Sequence, residues 1–371
     1  METRKIQSTA SGSFFITLPK DWVTDLDIRK GNEINILREE DGSLRIQLSG
    51  NHQARLLEFN IDIEEYEEEN SLERCINSYY IQGSDIIQIS SQKTITLENK
   101  KIIRNATNNL IGTEISEEFA SKIIIRILVD PHKFPLHSLI KRIYTLVSSM
   151  HVDAIKSLEE RDKILANDVI NREKLVEKLF YLMLRQLNLS LNNKINIIDI
   201  CPSEMKIDCV LGLVLARDLS KKAHYASEIA VNAIELLEKD ISPEIIEQII
   251  RLSRFVRRMQ QDAILAFFKT DFMRANSVLN NIKEVKILNN DIENQILKSM
   301  NDVTTIVSLI NITRNLKSIA KSAVAVSQDL QAKHRPHKII EKETFDEVTI
   351  EPFDLISSLG YEKQEKPAKR K

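Results

Sequence analysis

The chain has 371 residues, 42% of them hydrophobic and 29% charged, with a formal net charge of −2. That length suits two or three globular domains, and the charge balance excludes a general pull toward nucleic acid or anionic membrane. Gly and Pro number only 8 each and aromatics make up 5%, a shortage of turn formers that favours long helices over many short strands.

Cys75, Cys201 and Cys209 form no CxxC and no metal-ligand spacing with histidine, which suits a reducing compartment. Met1 is followed by Glu2-Thr3-Arg4 without an apolar core, so no signal peptide is expected. Ile123-Ile124-Ile125-Arg126-Ile127-Leu128-Val129, the longest apolar stretch, is far too short to span a bilayer. A cytoplasmic protein without membrane insertion is expected.

Residues 1–50 read as strands, turns and one short helix. Phe14-Phe15-Ile16-Thr17-Leu18 is β-rich and stops at Pro19, which suits a helix start. Asp21 to Leu26 is about one and a half turns, with Trp22, Val23 and Leu26 on its apolar side. Gly31 closes it, Glu33 to Arg38 alternates as a strand, Asp41-Gly42 signals a hairpin, and Leu44 to Leu48 returns. About fifty residues bury little of their own surface, so this unit is expected to be completed by a copy from a second chain.

Arg4-Lys5-Ile6-Gln7, Ser11-Gly12-Ser13, Ile16 to Trp22 and Leu26 to Ile34 together resemble the AbrB/MazE-type swapped-hairpin family. The resemblance implies a dimeric β-barrel that binds DNA, with Arg4, Lys5, Lys20, Arg29, Lys30, Arg38 and Arg45 available for phosphates and groove. The block holds 7 Lys/Arg and 8 Asp/Glu, so a DNA face requires the charges to be segregated in space.

Residues 51–135 read as a small α/β unit. A strand near Leu56–Ile61 leads to the acidic run Glu64–Glu69, expected as a solvated loop. Asn70 or Ser71 is placed to cap a helix whose apolar face is Leu72, Cys75, Ile76 and Tyr79-Tyr80, ended by Gly83. Asp85–Ser90 is a strand, Lys100–Leu110 a helix stopped near Gly112, and Ile123–Val129 a strong strand. Pro131 and Pro135 mark a boundary.

From Leu136 the pattern is helical. Leu136, Ile140, Ile143, Val147, Met150, Ala154 and Leu158 fall at steps of three and four on one stripe. Helices are expected at about Lys163–Gln186 and Ile207–Glu238, with Asn188–Ser203 as a linker. Ser242-Pro243 is expected to cap and start the next unit. The chain then repeats itself. At the interval from Met150 to Met259, 109 positions, Arg142 falls on Arg251, Val147 on Val256, and Asp153-Ala154-Ile155 on Asp262-Ala263-Ile264. Asp162, Ala166-Asn167, Val169 and Asn171 fall on Asp271, Ala275-Asn276, Val278 and Asn280. The third helix repeats at the interval from Arg217 to Arg314, 97 positions, with Leu219, Ala223 and Ala226 on Leu316, Ala320 and Ala323. Two copies of one supersecondary unit follow, 136–240 and 243–331. Beyond about Leu330 the Lys- and Glu-rich chain has little period and reads as a disordered tail, 332–371.

Two tandem three-helix modules with R-x-L-x-x-x-A-x-x-A in each third helix resemble the PhoU family. With the front block, the chain looks like archaeal-type regulators that fuse an AbrB-like head to a PhoU body, a resemblance that implies phosphate homeostasis and control of phosphate uptake. The expected fold class is mainly α with a small β head: an AbrB-like swapped-hairpin barrel, a small α/β unit, and two tandem PhoU-like three-helix bundles.

PhoU bundles carry E/D-x-x-x-D motifs that hold metal clusters, since carboxylates four apart share a helix face. The matching first-copy positions are Glu173 and Glu177; the second copy has Ile282 and Lys286, and His224 and Lys321 stand where Asp follows the alanine. Salt-bridged helices that bind transition metal weakly or not at all are expected, and no other cofactor. No Ser-His-Asp signature, HExxH or Walker loop occurs, so no enzyme is expected. Two functions remain: a DNA-binding transcriptional regulator of phosphate uptake, or an adaptor docking on a phosphate transporter or signalling protein, its head serving only to form the homodimer.

Overall fold

The structure, a computed structural model, describes residues 3–38, 42–49, 56–66, 68, 70–192, 194–201 and 206–333. From residue 334 the expected tail lies outside the described residues, as do Glu67 and Glu69 of the acidic run and Asp41 of the hairpin turn.

Two antiparallel ribbons form the head. Strand β1 (Gln7–Ser8) pairs with β2 (Phe14–Phe15), helix α1 covers Lys20–Asp25, and β3 (Glu33–Arg38) pairs with β4 (Leu44–Ser49). The strand expected over Phe14–Leu18 is confined to two residues because its partner β1 offers only Gln7 and Ser8. Pro19 stands at the N-cap of α1. In the β3–β4 ladder Ile34 faces Leu48, Ile36 faces Ile46 and Arg38 faces Leu44. Paired residues share a face, so one side of this ribbon is apolar but for Arg38. No residue from 3 to 49 whose burial is described is buried, and Ile36 and Leu44 stand 59% and 63% exposed. The ribbon therefore presents an apolar face that its own chain leaves uncovered.

The α/β unit is a four-stranded sheet in the order β5-β6-β8-β7. Its elements are β5 (Glu58–Asp62), α2 (Ser71–Ile81), β6 (Ile86–Ser90), α3 (Leu97–Asn108), β7 (Thr113–Glu118) and β8 (Lys122–Ile127). Strands β5 and β6 are parallel across the α2 crossover; β8 runs antiparallel to β6 and β7. Ile61, Ile76, Tyr80, Ile87, Ile89, Ile103, Ile123 and Ile125 make its core.

Three expectations for this unit change. Helix α3 starts at Leu97, since the Thr96 hydroxyl accepts from the Asn99 N–H at 3.2 Å and so caps it. Asn70 stands at the N-cap of α2 in a left-handed conformation without a side-chain cap bond. Glu64 stays exposed but is not free: its carboxylate accepts from Ser91 Oγ at 2.7 Å and from the Gln92 N–H at 3.1 Å. Hydrogen bonds with Asp62 and Ser91 hold its pKa down to about 2. Strand β7, which polar Thr113-Glu114-Ile115-Ser116 does not announce, adds the sheet edge.

Among the described residues seven helices follow: α4 (Leu136–Glu159), α5 (Lys163–Leu191), short α6 (Ile197–Ile200), α7 (Lys206–Glu235), α8 (Pro243–Lys269), α9 (Phe272–Ser299) and α10 (Val303–Asp329). The α4 stripe predicted by spacing is buried at every position from Leu136 to Leu158. Helix α5 runs a turn past its expected end, and α6 interrupts the expected linker. Helices α4, α5 and α7 pack together, α8, α9 and α10 do the same, and α7 lies on α10. Some repeated residues are repeated for their caps. Asp162 accepts from the Ile164 and Leu165 N–H groups at 2.8 and 3.0 Å, and Asp271 from the Arg274 N–H at 3.0 Å. Ser242, expected as a cap, instead bonds the Glu244 side chain.

Cys201 and Cys209, which the sequence reading did not pair, form a disulfide. Their Cα atoms lie 6.0 Å apart. A spacing of eight residues carries no sign of that.

The C-terminal half of α5 holds the α/β unit. The last carbonyls of a helix have no partner within it, and α5 supplies donors for them. Arg185 Nη1 donates to Tyr80 O at 2.9 Å and Asn188 Nδ2 to Ile81 O at 3.0 Å, both at the end of α2. Lys178 Nζ donates to Asn108 O at the end of α3, 2.6 Å away. Lys178 is thus a tether. Gly83, at φ +92°, lies so close to α5 that a Cβ would meet Leu189 Cδ2 at 2.8 Å. Only glycine satisfies both demands there.

Candidate functional site

Arg4, Lys5, Lys20, Arg29, Lys30 and Arg38 are exposed, and Arg45 is half-buried. Lys20 is the first residue of α1, and its carbonyl accepts from Thr24 Oγ1 at 2.9 Å. Arg29 is already engaged: its Nη2 and Nε reach the two Asp27 carboxylate oxygens at 2.7 and 3.2 Å, a bidentate pair. An incoming phosphate must compete with that carboxylate. Arg38 and Arg45 belong to opposite faces of the β3–β4 ribbon, since Arg38 pairs with Leu44 and Arg45 with Leu37. These seven positions therefore divide: Arg38 lies on the apolar side and Arg45 on the polar one.

In the body, Glu173 and His224, noted separately in the sequence, come together, with His224 Nδ1 3.1 Å from Glu173 Oε1. Glu177 points elsewhere in its bonding, accepting from the Tyr181 hydroxyl at 2.6 Å; burial, and then this bond, push that phenol's pKa up. Among the described residues no three His, Cys, Asp or Glu side chains gather as a metal group would require.

A second constellation lies where α4, α7 and α8 meet. Lys222 on α7 is 1% exposed. Its Nζ has Ser148 Oγ at 3.5 Å and the Tyr144 ring at 5.8 Å, both on α4. Burial, with Arg257 adding to it, pushes the Lys222 pKa down to about 7. His151 on α4 is fully buried; its Nε2 lies 3.0 Å from Ser253 Oγ on α8, and its Nδ1 has no hydrogen-bond partner. Its pKa is held well below the usual imidazole value by burial, then by Lys222 and Arg257. Sequence reasoning passed over both residues, yet a signal was present. Lys222 falls three after Leu219 and four before Ala226; His151 falls four after Val147 and three before Ala154. Each stands on a stripe reserved for apolar side chains.

Comparison with known proteins divides the chain along the same lines. The model of the MazE bacterial antitoxin family, of antidote–toxin recognition, matches residues 7–50, and that of the PhoU domain matches residues 140–233 and 249–330. The fold and these matches define a fusion: a MazE/AbrB-like head on a PhoU-type helical body. Each PhoU match falls within one copy, the first spanning α4 to α7 and the second α8 to α10. Neither matched family is a catalytic one. Among solved structures, PhoU from Pseudomonas aeruginosa is similar at a TM-score of 0.47 and 20% identity, over 54% of this chain and 96% of that one. The phosphate transport system regulatory protein PhoU from Streptococcus pneumoniae is similar at 0.45 and 16%, over 55% and 96%. A search of the curated proteins gave no match. No described helix is long and apolar enough to cross a membrane.

Proposed function

We propose that this protein is a cytoplasmic, DNA-binding transcriptional regulator of phosphate uptake and phosphate homeostasis, acting as a homodimer joined through its head. The observation that carries the reading is the bare apolar face of β3–β4, with Ile36 and Leu44 exposed, in a MazE-like segment. Covering Ile36 and Leu44 with the same ribbon of a second copy removes apolar area from water twice over. A two-fold head then offers two sets of Arg4, Lys5 and Lys20 to two half-sites, and affinity comes mainly from phosphate contacts. The PhoU-type body supports the phosphate part of the reading. A second reading, an adaptor that docks on a phosphate transporter or signalling protein, is favoured by the excess of acids in the head and by the Asp27 clamp on Arg29.

Mobility shifts of the intact protein across a salt series separate the two. Arg4→Ala with Lys5→Ala should weaken binding to all sequences alike and reduce the salt slope by about two units. Lys363→Ala with Lys366→Ala, in the tail, should change little. Loss of binding with the tail variant, and none with the arm variant, would hand the function to the adaptor reading.

A further inference from the structure

We propose that the groove between α9 and α10 is a docking surface for an amphipathic helix of a partner protein, apolar at one end and acidic at the other. The two helices form a hairpin joined by residues 300–302, and Arg314 Nε stands 3.5 Å from Glu293 Oε1 across it. That contact fixes the register. Residues after Glu293 lie beside residues before Arg314, toward the turn, and residues before Glu293 lie beside residues after Arg314. Toward the turn the groove is apolar on both walls. Leu297 on α9 and Val303 and Val307 on α10 are each at least half exposed, and half-buried Ile310 continues the α10 stripe. Beyond Arg314 the groove is cationic on both walls. Lys317 and Lys321 carry the α10 stripe on at steps of three and four, and Lys283 and Lys286 answer them from α9. From Val303 to Gln328 α10 holds no acid. Among the described residues, none of these four lysines has a carboxylate at ion-pair distance. The acid in the groove, Glu293, is engaged by Arg314 and by Asn289 Nδ2 at 3.0 Å.

The first copy shows how this flank is used. There the matching flank of α5 carries the α/β unit, with Asn188 donating to the end of α2 and Lys178 to the end of α3. In α9 the same positions are Leu297 and Ile287, both exposed. A flank that holds a folded unit in one copy is bare and apolar in the other. The cationic end is not repeated either: at the positions of Lys286, Lys317 and Lys321 the first copy has Glu177, Ser220 and His224. Charge complementarity then specifies the occupant. The apolar end gives a phosphate chain nothing to bind, and a wholly apolar helix would strip water from the lysines without replacing it. A helix laid along the stripe from Val303 to Lys321 needs about 18 residues, or about 27 Å. It is apolar where it meets Leu297 and Val307, and carries Asp or Glu where it meets the lysines. Being in the body, the surface does not depend on whether the head binds DNA.

Fluorescence anisotropy of a labelled synthetic peptide with the intact protein tests this. The probe is a helix of about 20 residues, with Leu along one face of one half and Glu along the same face of the other; a control peptide has Lys in place of Glu. The acidic peptide should bind saturably with a Kd of about 10 μM or tighter, and the control at least tenfold more weakly. Lys317→Glu with Lys321→Glu should weaken the acidic peptide at least tenfold and strengthen the control, a reciprocal change that mere loss of structure does not give. Lys283→Glu with Lys286→Glu should do the same from the other wall, and Val307→Glu should weaken the acidic peptide several-fold. Lys174→Glu, at the first copy's counterpart of Lys283, should leave binding unchanged, with helical circular dichroism retained throughout. No saturable binding, equal binding of the two peptides, or indifference to both lysine pairs overturns the surface. Tighter binding of a short DNA duplex through the same lysines, untouched by Val307→Glu, assigns the groove to nucleic acid and overturns it too. So does a lower subunit count in the Lys317→Glu, Lys321→Glu variant, which assigns the groove to contact between copies.

Discussion

The two three-helix copies share caps and core spacing but not their surroundings, and their second helices show what surroundings do to a sequence. In α5, Leu182 is buried and Arg185 is 2% exposed. At the same positions of α9, continuing the interval of the repeat, stand Asp291 and Asn294, both exposed. The α/β unit sits on α5, so α5 is apolar on more than one face. The third helices differ in the other direction, with buried Lys222 in α7 where α10 has Ile319. One copy therefore carries a docked unit and an uncompensated charge, and the other is nearer a plain bundle.

The largest effect should come from removing that charge. A lysine whose folded pKa is about 7 against an ordinary 10.5 costs on the order of 5 kcal/mol, at about 1.4 kcal/mol per unit. The sign follows from proton counts. Between about pH 7 and pH 10.5 the unfolded chain binds the proton that the folded one lacks, so stability rises with pH through that window. The penalty is complete below about pH 7 and gone above about pH 10.5. Lys222→Met should thus raise the urea midpoint strongly at pH 6 and progressively less toward pH 10. A midpoint difference that stays constant with pH would show that Lys222 titrates in the folded state as it does in the unfolded chain.

Next is the docking contact. Arg185→Ala leaves the end of α2 without its donor and removes a buried charge near Asp85, a loss of about 3–5 kcal/mol. Asn294→Ala, its counterpart in α9, should fall within about 0.5 kcal/mol of the parent. Hydrogen exchange should show the Arg185 loss as faster opening of α2 and β6. Equal small effects at both positions would mean that the unit is held by something other than α5.

The disulfide belongs to the first copy alone and closes a loop of about eight residues, which the chain-entropy estimate values at about 2.5 kcal/mol. Cys209→Ser should lower the thermal midpoint accordingly, and reductant should lower the parent's but not the variant's. The smallest effects are shared. Asp162→Ala and Asp271→Ala should each cost about 1 kcal/mol, nearly the same in both copies. A large disparity in chemical denaturation would break the equivalence of the caps.

Much of this was legible. The α4 stripe, the repeat and the third-helix motif are local patterns of period 3.6, and packing obeyed them. Sites made by tertiary contact were not. Arg185 lies in an apolar run and looks like its one solvent-facing member until α2 is placed against it. Glu173 and His224 are 51 residues apart, with nothing in either helix to announce the other. Strand β7 escaped notice because an edge strand needs only one apolar face, and Thr113-Glu114-Ile115 barely shows it. The basic head positions were visible as residue types, but the opposed faces of Arg38 and Arg45 required the register.

The bond from Arg185 to Tyr80 spans 105 residues, and synthesis must cross that distance in time. Helix α2 leaves the ribosome with its final carbonyls unpartnered, and their donor is made later by roughly 5–20 s at 5–20 residues per second. The α/β unit accordingly has its sheet before it has its clasp. During that interval the end of α2 is the part of the unit most open to water, to proteases and to any chaperone that reads an unfinished helix.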